Sequence, residues 1–138
     1  MRWIIGIGNT HSVESLVARL VLAAVFLTAG SGKFVDHSRY VERFTRWDIG
    51  APSTMVVLTG VIEVLAGVSL LLGLLPRLGA IAVIGAMAGA MATAGRVDGG
   101  RDIWVPLIMI ALATVVLLRG GGPASLQARL AGRRKSQA

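Results

Sequence analysis

Three charged side chains lie inside long apolar runs: Arg19, Lys33 and Glu63. Side chains of these types can pair, move a proton or hydrogen-bond a polar ligand. Glu63 is the most informative, because it stands near the middle of the apolar run 54–75. An ionised carboxylate at a bilayer centre costs about 2.5–3.5 kcal/mol on insertion scales, so it must face protein or water. Gly60 and Gly67 share its helical face at i−3 and i+4, where small residues let a second helix approach. Arg19 and Lys33 are 14 residues apart in the run 16–34, so on a helix they differ by only about 40° in azimuth. Phe26 and Gly30 fall on the same stripe. Three readings of Arg19, Lys33 and Glu63 stand side by side. They form a structural ion pair, they make a ligand or proton site, or each cation snorkels to its own surface.

Other chemistry is narrowed by what the chain lacks. There is no cysteine, which excludes a catalytic thiol, a disulfide and any cysteine-ligated metal centre in this chain. The two histidines, His11 and His37, lie outside the apolar runs, so a bis-histidine haem within them is not available, and no metal site is expected. Gly120 to Gly122 lacks the strand-to-helix setting of a phosphate loop. No intrinsic cofactor is expected. Redox chemistry would require a bound quinone or a partner that carries the cofactor.

The elements that position these residues follow from composition. Of 138 residues, 54% are hydrophobic and 15% charged. That composition excludes a disordered chain and argues against a soluble enzyme. The net charge of +7 comes from basic residues that flank apolar runs, the pattern of a membrane protein rather than a nucleic-acid binder. Four spans are predicted, at 16–34, 54–75, 78–95 and 103–118, with Ser12 as a cap for the first. The expected fold is all-α: an integral membrane four-helix bundle over residues 1–119, followed by a basic cytoplasmic tail over 120–138. Met1 to Gly8 makes a poor signal peptide, so the N-terminus is read as retained.

In the first loop, Tyr40, Phe44 and Trp47 recur at i, i+4 and i+7, which puts an aromatic face on a short interfacial helix. That helix either anchors the loop or covers a cavity. In the third span Gly85 and Gly89 make a GxxxG pair suited to close contact, within the bundle or between two copies. Gly30, Gly60 and Gly67 are the other packing candidates. Gly120-Gly121-Gly122-Pro123 reads as a flexible break before a tail bearing Arg129, Arg133, Arg134 and Lys135. Loop arginines and lysines place both termini in the cytoplasm.

The ordered set Arg19-Leu20, Phe26-Leu27-Thr28-Ala29-Gly30 and Lys33-Phe34 resembles the opening helix of the DoxX family. Ile49-Gly50-Ala51-Pro52, Gly60 with Glu63, Gly67, and Leu70-Leu71-Leu72-Gly73-Leu74 before Arg77 continue the resemblance, which covers residues 16–95. It implies a four-helix protein of the bacterial inner membrane, a subunit of oxidoreductase systems, with Arg19, Lys33, Glu63 and Arg77 as the signature group. Related DoxD-type chains belong to thiosulfate:quinone oxidoreductase. One departure stands out. Many relatives have a histidine near the end of the third helix, where this sequence reads Ala92-Thr93-Ala94-Gly95-Arg96.

Three functions are carried forward. The first is a DoxX-like subunit or anchor of a membrane oxidoreductase complex, with a polar pocket around Glu63. The second is a small proton-coupled transporter. The third is a structural or assembly protein with no ligand. The expected partners are the lipid bilayer, a membrane or peripheral redox protein and a second copy of the chain, with no nucleic acid.

Overall fold

In a computed structural model the chain forms five helices: α1 (Val13–Val35), α2 (His37–Arg46), α3 (Pro52–Leu72), α4 (Pro76–Val97) and α5 (Trp104–Arg119). The structure describes residues 13–100, 103–122, 125–126, 129–130 and 132–133, and no strand occurs among them. Expectations that rested on Met1 to Gly8, His11, Ser12, Pro123, Arg134 and Lys135 lie outside the described residues.

Proline and left-handed backbone set the boundaries of the middle helices. Pro52 and Pro76 each stand at the start of a helix, where the missing N–H costs nothing. Gly73 at φ 65° ends α3: its N–H donates to Leu70 O, and the Leu74 N–H donates to Ser69 O. The second span therefore stops at Leu72, three residues before the predicted end, because Gly73 and Leu75 both turn left-handed. α1, α3 and α4 are long and apolar enough to cross a membrane. α5 is apolar but has 16 residues, about 24 Å of helix.

The four long helices form a ring. α1 packs on α3 and α5, and α4 completes the ring by packing on the same two helices. Ala18, Leu22 and Phe26 of α1 meet Ala66 and Leu70 of α3, Ala80 and Val83 of α4, and Met109, Ala113 and Val116 of α5 in one core. The outward faces carry Leu58, Leu65, Ile81, Ile108 and Leu118, all exposed. Such faces suit lipid, and in lipid the helices gain little from hydrophobicity alone, so close packing must hold them together. The α1–α3 seam supplies it. A Cβ on Gly30 would stand 2.8 Å from the Val64 side chain, and one on Gly67 would stand 2.7 Å from that of Leu27.

Gly85 and Gly89 differ. A Cβ at either position would meet nothing within 4 Å. Their spacing matches a packing motif, but within this bundle they face open space.

The segment after α5 does not hang free of the bundle. Gly120, Gly121, Gly122 and Ser125 are buried. The Ser15 hydroxyl donates to Gly120 O, and Ser125 lies against Gly73. The expected flexible break thus folds back over the end of the bundle where α1 begins.

Candidate polar sites at the two ends of the bundle

α1 and α3 run antiparallel, so residues whose numbers sum to about 94 stand at one level. Gly30 meets Val64, and Leu27 meets Gly67. At this register Lys33 starts near Gly60 and sends its stem inward along the seam. Its Nζ donates to Glu63 Oε2 at 2.5 Å. The two side chains are only 8% and 12% exposed, so water offers the pair little solvation. An ammonium and a carboxylate in contact neutralise each other, which reduces the cost of holding either in lipid.

α2 stands over this pair. The Lys33 Nζ lies 5.0 Å from the centre of the Tyr40 ring, within the range of cation–π attraction. Arg43 approaches the same ring at 5.6 Å. Phe44 is buried and stacks obliquely against Trp47, with ring centres 5.6 Å apart. Trp47 caps α2 rather than belonging to it. His37 Nε2 and Ser53 Oγ, 3.2 Å apart, link the start of α2 to the start of α3. The helix is held by its aromatic face, while Glu42 and Arg46 face outward as exposed residues.

Arg19 does not join Lys33 and Glu63. Fourteen residues earlier on the same stripe, it lies about 21 Å away along the helix. It sits at the α3–α4 turn, with its Nη1 against Gly73. Arg77, in the first turn of α4, belongs to this second end and reaches Leu118 O with Nη2 at 3.5 Å. Arg19 and Arg77 are 1% and 3% exposed. The four charges therefore divide into two groups at opposite ends of the bundle. Sequence reasoning did not find Ser15 and Ser125 beside Arg19. Ser15 carries a signal, since it precedes Arg19 by one helical turn. Ser125 carries none.

Elsewhere, Met91, Ala94, Ile103 and Pro106 line a recess of about 70 Å³ between the ends of α4 and α5, and its lining is mostly apolar. Among the described residues no three His, Asp or Glu side chains converge as metal ligands would.

Buried charges joined across apolar helices, with lipid-suited outer faces, define a multi-pass helical membrane protein. The DoxX family model matches residues 15–96, more than half of the chain, and the protein belongs to the DoxX family. The match takes in all four charged residues and ends before α5. No curated protein and no solved structure matches the chain.

Proposed function

We propose that the chain is a non-catalytic subunit or anchor of a membrane oxidoreductase complex in the bacterial inner membrane, with both termini cytoplasmic. The observation that carries this reading is the buried Lys33–Glu63 pair beneath Tyr40. Membership of the DoxX family supports the oxidoreductase setting.

The chemistry of the site suits a carbonyl-bearing ligand. An ammonium has three N–H donors, and Lys33 gives one to Glu63. Tyr40, whose ring lies against the ammonium, adds a phenolic O–H close to Gly32. This donor set fits a quinone headgroup, which when bound would take up two electrons and two protons. The chain's own part is to hold these donors at a fixed depth, with Glu63 anchoring the ammonium. With no cysteine to bind an iron–sulfur cluster, the remaining electron carriers belong to a partner.

The test is purification in native nanodiscs, wild type beside Glu63→Gln, with mass spectrometry of everything that co-purifies. A quinone or redox partner present in the wild type and lost in the variant is the expected result. A clean chain, identical in both forms, overturns the reading and turns attention to scaffolding and to flux assays for proton-coupled transport. One observation favours the assembly reading as the second choice. Lys33 and Glu63 bond to each other directly, so the pair can fix the register of α1 on α3 with no ligand.

A further inference from the structure

We infer that the opposite end of the bundle, around Arg19, binds a phosphate oxyanion. This site is distinct from the Lys33–Glu63 pair and does not rest on the oxidoreductase reading. Arg19 is 1% exposed, and its Nε and Nη1 are buried with no hydrogen-bond acceptor. A guanidinium cannot escape by losing its proton. Buried N–H donors on a fixed charge call for an acceptor that carries negative charge.

The described carboxylates do not supply one. Glu14 pairs with Arg119, Asp36 with Arg39 and Glu63 with Lys33. Glu42, Asp48 and Asp98 belong to α2, the turn after it and the far end of α4, all at the other end of the bundle. The C-terminal end of α3 offers only the partial charge of its last carbonyls. The anion must come from outside the described chain.

The surroundings suit phosphate in particular. The planar fork of arginine matches phosphate oxygens two at a time. Ser15 stands one turn before Arg19 and ties Gly120 O to this end of the bundle, and Ser125 shares with Nη1 the space over Gly73. Arg77 is buried at the same end. Arg119, at the same end, is already paired with Glu14, and residues 119–138 contain no acid that would compete for Arg19. The level is that of the α3–α4 turn, where apolar spans give way and lipid phosphates lie. Gly120 and Gly122 both turn at positive φ, and Gly120 O accepts from Ser15 at this end of the bundle.

The phosphate can belong to a lipid headgroup or be free in solution, and the experiment separates the two. The full chain is delipidated in detergent. Phosphatidylglycerol is titrated and read by native mass spectrometry, and inorganic phosphate is titrated and read by calorimetry and thermal melting. The variants are Arg19→Gln, Arg19→Lys and the surface control Arg129→Gln. The expected result is saturable binding by the wild type and by Arg129→Gln. Affinity should fall at least tenfold in Arg19→Gln and severalfold in Arg19→Lys, which keeps the charge but loses the fork. Lipid adducts that excess inorganic phosphate does not displace assign the site to a headgroup. Binding of inorganic phosphate without lipid assigns it to the free ion. A wild type that binds neither probe saturably overturns the inference, whatever the variants do. So does a folded Arg19→Gln or Arg19→Lys that binds both as the wild type does.

Discussion

The Nη1 of Arg19 occupies the space that a Cβ on Gly73 would fill. One glycine thus has two tasks. It turns the chain left-handed at φ 65° to end α3, and it leaves room for a buried guanidinium from α1. Either demand alone favours glycine at this position. Together they make it the residue through which the α3–α4 turn is locked to the first helix.

Gly73→Ala should therefore destabilise the protein by more than the left-handed backbone explains. The backbone penalty is about 1–2 kcal/mol for a residue with a Cβ. Displacing Arg19 adds to it. A double-mutant cycle with Arg19→Ala isolates the share due to the guanidinium, because that clash vanishes with it while the contact with Ser125 remains. Thermal unfolding in detergent should show Gly73→Ala costing less in the Arg19→Ala background than in the wild type. Equal costs in both backgrounds would mean that the guanidinium adds nothing to the backbone effect and the contact with Ser125.

The Lys33–Glu63 pair predicts a second asymmetry. Glu63→Leu leaves a buried ammonium with no counter-charge, a loss of about 3–5 kcal/mol in comparable buried pairs. Lys33→Met beside Glu63→Leu removes both charges and should recover most of that loss, because the apolar stems fill the same seam. The measurement is unfolding of the two single variants and the double variant in matched micelles. A double variant no more stable than Glu63→Leu alone would mean that the ionic contact contributes structure which packing cannot replace.

Much of this architecture was legible in residue order. Apolar runs bounded by Pro52, Pro76 and Gly120 predicted spans within a few residues of those observed, although Gly73 ends the second one early. The spacing of Tyr40 and Phe44 marked α2 as a helix with one aromatic face, and Phe44 is the residue it buries. The set of four charges came from the family resemblance, and depth along the span already set Arg19 and Lys33 toward opposite ends, but which of them meets Glu63 was not legible. Azimuth places Arg19 and Lys33 on one stripe, and both do face α3. It says nothing of level along the axis, and a single carboxylate can reach only one of two cations about 21 Å apart. The fold-back of Gly120 to Ser125 was not legible, because consecutive glycines permit many paths and only contacts with Ser15 and Gly73 select this one.

Glycine pairs expose the same limit most sharply, and they yield the third prediction. Gly30 and Gly67 sit where α1 and α3 touch, while Gly85 and Gly89 sit where α4 meets no other helix among the described residues. Sequence spacing alone ranks them alike. Gly30→Ala and Gly67→Ala push against Val64 and Leu27, and overpacking of this kind costs about 1–3 kcal/mol. Gly85→Ala and Gly89→Ala add a methyl in open space and gain helix propensity, worth up to about 1 kcal/mol per site. Unfolding midpoints should therefore fall for the first pair and hold or rise for the second. The one circumstance that reverses the second result is a helix of another copy packed on Gly85 and Gly89. A fall in stability for Gly85→Ala, together with loss of a dimer band on crosslinking in membranes, would assign that face to self-association. Unchanged crosslinking with raised stability would assign it to lipid.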